Sequence, residues 1–174
     1  LREWKSISRT KNTDGNLKNG TERSTAKSTN GGRCYEVKQS TVNRTIGNRF
    51  EDDLCELLAG YGWWAHNMAQ NQVGQPADVI AVKNDIAVLI DCKVCANDRF
   101  ALSRIECNQE GAMTVWEARG NSHCYFAMKL TDESIYMVHF DDLNLLDSVG
   151  TKTITDFSRY MTLEEWVNYM EGNG

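Results

Sequence analysis

The chain is predicted to form an α/β domain with a mixed central sheet flanked by helices, preceded by a basic arm. Three observations carry this expectation. Two β-rich apolar runs, Val79-Ile80-Ala81-Val82 and Ile86-Ala87-Val88-Leu89-Ile90, surround the polar residues Lys83-Asn84-Asp85. Segments with helical apolar spacing stand on either side of that pair. Charge divides the chain as well: residues 1–49 hold 11 Lys/Arg against 4 Asp/Glu, a net of +7, and residues 50–174 hold 8 against 20, a net of −12.

The first 40 residues are rich in Ser, Thr, Asn, Gly and Lys, with few apolar residues after Trp4 and Ile7. Such a segment cannot bury enough surface to fold alone. Residues 1–43 are therefore expected to be a disordered arm; starting at Leu1, the chain reads as a fragment, a processed product or a non-standard start. Residues 44–174 are expected to form one domain, with a core over 46–130 and an extension of strand and helix over 131–174.

Within that domain, Gly47 to Leu58 spaces Phe50, Leu54, Leu57 and Leu58 as a helix stripe, closing at Gly60 or Gly62. Glu51 borders the stripe, while Asp52, Asp53 and Glu56 form its solvated side. The two apolar runs then read as a β-hairpin. With a two-residue turn at Asn84-Asp85, position 83 pairs with 86 and 82 with 87, and Asp78 falls opposite Asp91. Opposed side chains have Cβ atoms about 4.5–5.5 Å apart. Two carboxylates so placed repel unless one is protonated or a hard divalent cation lies between them. The alternative is that both are ordinary exposed charges at the strand ends. The strand period of two puts Lys93 beside Asp91 and turns Cys92 to the other face with Ile90 and Val94.

Ser103 to Arg119 reads as a second helix with Ile105, Met113 and Trp116 inward, and Gln109 on the same side needing a partner. His123 to Met128 and Ile135 to Phe140 read as strands joined through Thr131-Asp132-Glu133-Ser134. A last helix starts at a capping box of Thr162 and Glu165, ahead of Trp166, Val167 and Met170, and is expected to lie as a lid on the edge of the sheet.

Glu51 on a first helix, Pro76-Ala77-Asp78, Asp91-Cys92-Lys93, Phe100-Ala101-Leu102-Ser103-Arg104-Ile105 and Asn108-Gln109 together resemble the PD-(D/E)xK nuclease superfamily. Within it the chain is most similar to the RecU-type and related phage Holliday-junction resolvases. The resemblance covers roughly residues 46 to 130, with Asp91 where that family more often carries Glu, and without an identifiable stalk. It implies a restriction-endonuclease-like αβββαβ core and a homodimer that cuts DNA, branched or four-way, symmetrically with Mg²⁺, for which Mn²⁺ can substitute. Asp78 and Asp91, with Glu51 as a third or outer ligand, would hold the metal, and Lys93 would position the attacking water. Gln109 would orient substrate or water, or else is a core amide bonded to a backbone carbonyl. Arg44, Arg49, Gln75 and Arg104 are the expected DNA contacts, and the basic arm would add salt-sensitive ones.

No apolar run suits a membrane span or a secretion signal, so a cytoplasmic site in a bacterial or phage-infected cell is expected. The six cysteines would then be free thiols. A zinc site from Cys92, Cys95, Cys107 and His123 or Cys124 is disfavoured, because a pair two apart within one strand does not converge. His66, His123 and His139 do not cluster in sequence with any acidic pair. A restriction- or repair-type nuclease of the same fold, a catalytically silent nucleic-acid-binding module and a zinc-stabilised interaction domain are the alternatives.

Overall fold

The computed structural model describes residues 39–68 and 75–172, with side chains from residue 45 onward. Most of the expected arm, residues 1–38, and the Arg44 side chain lie outside what is described.

Helix α1 (Gln39–Gly60) starts earlier than the Gly47 expected from its apolar spacing. Phe50, Leu54 and Leu58, four residues apart, are buried against the sheet, whereas Leu57 is 44% exposed and does not join the stripe. The helix ends in a left-handed Gly62 (φ 81°), with the Trp63 N–H bonded back to the Leu58 carbonyl. The chain then enters β1 (Trp64–Asn67), a strand that the residues alone did not announce.

Strands β2 (Val79–Lys83) and β3 (Ile86–Val94) form the hairpin in the predicted register, from Lys83 opposite Ile86 to Val79 opposite Ile90. Asn84 and Asp85 both take positive φ, 49° and 63°, as a type I′ turn requires. After a 3₁₀ turn at Ala96–Asp98, β4 (Phe100–Ala101) leads into a second 3₁₀ turn and then helix α2 (Cys107–Glu117). The expected start at Ser103 is displaced to Cys107 because Ile105 and Glu106 are extended (ψ 122° and 142°). Glu106 is the N-cap, and its side chain and that of Gln109 close a reciprocal capping box.

Strand β5 (Cys124–Lys129) runs parallel to β3, with α2 as the crossover that such a connection needs. Strand β6 (Ile135–His139) follows, and Phe140, expected to end that strand, instead begins an unforeseen helix α3 (Phe140–Ser148). Then come β7 (Thr153–Ile154), β8 (Met161–Thr162) and helix α4 (Leu163–Gly172). The capping box of Thr162 and Glu165 forms as the sequence indicates.

The main sheet has the order β1-β2-β3-β5-β6-β8, antiparallel except at β3–β5, and β4 pairs with β7 beside it. This is the αβββαβ core with added strands and helices. One face buries Phe50, Leu54, Val88, Ile90 and Trp166, joining α1 and α4 to the sheet. The other buries Phe100, Met113, Phe126, Phe140 and Leu143, joining α2 and α3. Helix α4 is thus part of the core and not a lid on the edge: Trp166 is fully buried, stacked on Trp63 at 5.3 Å and edge-on to Tyr125 at 5.5 Å.

Candidate active site

Asp78 stands one position before β2, past the last ladder pair Val79–Ile90; its N–H bonds the Ile90 carbonyl at 3.1 Å, so the expected direct pairing of Asp78 with Asp91 gives way to a local irregularity that keeps Asp78 beside β3. Its carboxylate is fixed from two sides. Oδ2 accepts from the Cys92 backbone N–H at 2.7 Å, and Oδ1 accepts from the Gln75 amide at 2.7 Å. The Gln75 carbonyl is in turn held by the Asn108 amide on α2 at 3.3 Å.

Asp91 lies mid-strand on β3, fully buried on the face covered by α2. Lys93, two residues on, shares that face, and its Nζ is 2.6 Å from Asp91 Oδ1. This ion pair engages Oδ1, while the buried Oδ2 has no partner among the described residues. From the other side Lys93 donates to Gln109 Oε1 at 3.3 Å, and the same oxygen accepts from the Glu106 backbone N–H at 3.2 Å. Through its side-chain oxygen, Gln109 thus joins the helix cap to the lysine.

Glu51 reaches the site from α1. Among the described residues, the buried polar or charged side chains are Glu51, Asp78, Asp91 and Gln109, four of the five catalytic residues expected from sequence; the fifth, Lys93, is partly buried. Burial of unneutralised carboxylates is costly, so such a concentration points to a compensating ligand. Asp91 is pushed up to about 7, first by burial and then by the charge of Asp78, with Lys93 opposing. Glu51 is raised by burial and by Asp78, with its hydrogen bond to Asn67 opposing. Glu51, Asp78, Lys93 and Gln109 line a cleft of about 670 Å³, and Arg99 and Arg104 stand on its wall.

An all-oxygen donor set of buried carboxylates, with Asp91 Oδ2 unpartnered, suits a hard divalent cation. Of the cysteines weighed for zinc, Cys95 is buried and Cys107 is exposed. The described group whose possible ligand atoms all lie within 4.8 Å is elsewhere, at Glu117, His139 and Asp141. The fold thus places a histidine beside two acids that sequence kept apart. Both imidazole nitrogens of His139 are already engaged, Nε2 with the Ser122 carbonyl at 2.8 Å and Nδ1 with the Asp141 N–H at 3.1 Å, which caps α3.

The expected DNA contacts divide. Arg104 is on the cleft wall, with Nη1 donating to the Val94 carbonyl at 3.1 Å. Gln75 is committed to Asp78. Arg49 is exposed and 4.0 Å from Asp53, on a groove beside the cleft. Arg99 and Glu106 were not foreseen; their adjacency to the Phe100–Ile105 segment was the available signal.

A family model described as archaeal Holliday junction resolvase (hjc) matches residues 42–172. The chain belongs to the Hjc family. Hjc-family resolvases are metal-dependent endonucleases that hydrolyse DNA phosphodiester bonds, and this member is a structure-specific junction nuclease of recombination. Among solved structures, the chain is similar to Archaeoglobus fulgidus Hjc, a Holliday junction resolvase from an archaeal hyperthermophile. That likeness has a TM-score of 0.55 at 20% identity, covers 71% of this chain and 96% of the other, and shows the shared fold. No curated protein matches. The expected resolvase relationship therefore holds, with the match on the archaeal Hjc family. Among the described residues, no helix is long and apolar enough to cross a membrane.

Proposed function

We propose that this Hjc-family protein is a Mg²⁺-dependent resolvase that acts in the cytoplasm as a homodimer and nicks opposing strands of a four-way junction. The observation that carries the metal reading is the fully buried Asp91 carboxylate next to Asp78, with Oδ1 paired to Lys93 and Oδ2 without a partner.

Asp78 and Asp91 would hold the ion, with Glu51 as an outer or third ligand. The chemistry supplied by bound Mg²⁺ is a lowered pKa for coordinated water and neutralisation of charge on the phosphate. The chain's own groups do the rest. Gln75 and the Cys92 N–H fix the Asp78 carboxylate, so its orientation needs no rearrangement when substrate arrives. Lys93, restrained by Asp91 and Gln109, places a positive charge where an attacking oxygen or a phosphate oxygen gains negative charge. A homodimer supplies two such sites related by a two-fold axis, matching two cuts of opposite strands.

The test uses a labelled four-way junction, a linear duplex of the same sequence and a single strand, each with Mg²⁺, Mn²⁺ or EDTA, alongside Asp91→Asn. Paired nicks in the junction that EDTA and the substitution both abolish are expected, with a two-subunit mass in solution. Equal cutting of all three substrates would overturn junction specificity, and cutting in EDTA would overturn the metal.

A further inference from the structure

We infer that Arg99 is a phosphate-binding residue for the DNA strand in the cleft, presented there by a left-handed loop that the Asp98–Thr131 contact holds in place. This rests on the junction-nuclease reading. The body of the protein is acidic, with 8 Lys/Arg against 20 Asp/Glu over residues 50–174, yet its substrate is a polyanion. Within that body, attraction at the cleft falls to the few cations left uncommitted near the site. Lys83, Lys93, Lys129 and Lys152 are each within 3.2 Å of a carboxylate oxygen, and Arg49 is 4.0 Å from one. Arg104 is bonded to the Val94 carbonyl and lies 5.4 Å over the Phe100 ring. Arg99 is different: it lines the cleft with Glu51, Asp78 and Lys93, it is exposed, and it has no hydrogen bond or ion pair among the described residues.

The backbone before it is unusual. Asn97 and Asp98 take consecutive positive φ values of 60° and 50°, a left-handed conformation that Asn and Asp enter more readily than other non-glycine residues. The surrounding structure imposes it. Asp98 Oδ1 accepts from both the N–H and the hydroxyl of Thr131 at 2.8 Å, and the Asp98 N–H bonds the Cys95 carbonyl at 3.3 Å. Cys95 N–H is tied to Lys129 at the end of β5 by a 2.8 Å bond. The effect is to set where the chain leaves for β4, and so where Arg99 stands. An arginine fork suits phosphate oxygens, which it can grip with two donors.

Full-length protein would be titrated against a four-way junction in Ca²⁺, to prevent cutting, over a range of salt, with Arg99→Ala, Arg99→Lys, Thr131→Val, Thr131→Ser and Arg119→Ala compared. Neutralising one phosphate contributes about 0.9 to the slope of log K against log salt on B-form arms. Arg99→Ala is expected to lower the slope by about that amount and weaken binding several-fold, whereas Arg99→Lys keeps the slope. Thr131→Val is expected to lose part of the affinity and Thr131→Ser to regain it. Arg119→Ala, a surface charge away from the cleft, is expected to bind as the parent does. An unchanged slope in Arg99→Ala, or an equal loss in Arg119→Ala, overturns the inference. A parent protein that neither binds nor cuts the junction would overturn the underlying reading instead, a distinct result.

Discussion

Gln109 Oε1 accepts from Lys93 Nζ, and the same oxygen closes the N-terminal cap of α2 through the Glu106 N–H. One amide therefore couples the start of a helix to the placement of an ammonium group. Gln109→Ala should lower the single-turnover cleavage rate by about tenfold or more, since a hydrogen bond to a charged group is worth about 1.5–3 kcal/mol. Loss of the cap should also cost about 1 kcal/mol of stability. Gln109→Glu, which keeps an acceptor, should recover the lysine contact. Quench-flow rates at saturating protein together with urea melts separate the two effects.

Lys93→Ala should reduce cleavage by about 10²–10⁴-fold, the range for a positioned proton-transfer group. Calorimetric titration with Mn²⁺ should still show binding, because the oxygen donors remain. A loss of metal binding as large as the loss of rate would count against the proposed role.

Metal-free stability should depend on pH in a particular direction. The Asp91 carboxyl is raised from an ordinary 3.8 to about 7, burial being the main cause, so between those values the folded state binds more protons than the unfolded one. Stability then falls as pH rises through that window, and is fully reduced above about 7. The raised Glu51 acts in the same direction. Melts in EDTA from pH 4 to 8 should show this decline, with much of it gone in Asp91→Asn. Divalent ions should oppose it, because binding favours the ionised form.

Asp85→Gly should stabilise the hairpin. Both turn residues have positive φ, and Asn-Gly is the favoured type I′ pair. A gain of a few tenths to about 1 kcal/mol is expected in chemical denaturation, with cleavage unchanged.

Trp166→Ala should cost about 3–5 kcal/mol, as large aromatic truncations in cores do. Trp166 is fully buried, and its loss would leave Trp63 and Tyr125 facing a cavity. A thermal midpoint close to that of the parent would show that α4 contributes little to the core.

The hairpin and its acidic pair were legible because strand period and a two-residue turn fix register locally, and the buried polar set followed from it. The long apolar runs around 124–128 and 135–139 announced their strands, and Thr162-x-x-Glu165 announced α4. What failed was decided farther away. Phe140 looked like strand, but the His139 ring capping the Asp141 N–H turns the chain into α3 there. Trp64 to Asn67 is too short to declare itself, and becomes β1 only by pairing with β2. Leu57 carries the helical spacing of a core residue, yet the sheet beneath α1 covers a narrower stripe.

Asp91 has neighbours of two kinds. On one side the hairpin brings Asp78 close through a turn of two residues; on the other, Phe126 of β5 arrives only after α2 has formed and crossed over. Local contacts close quickly and distant parallel pairing slowly. During folding, then, the two carboxylates meet while still in water, where their repulsion is weak, and the low-dielectric wall that sharpens it is added last. Pairing locally first, the hairpin lets the two carboxylates meet before burial by β5 and α2 makes their repulsion costly.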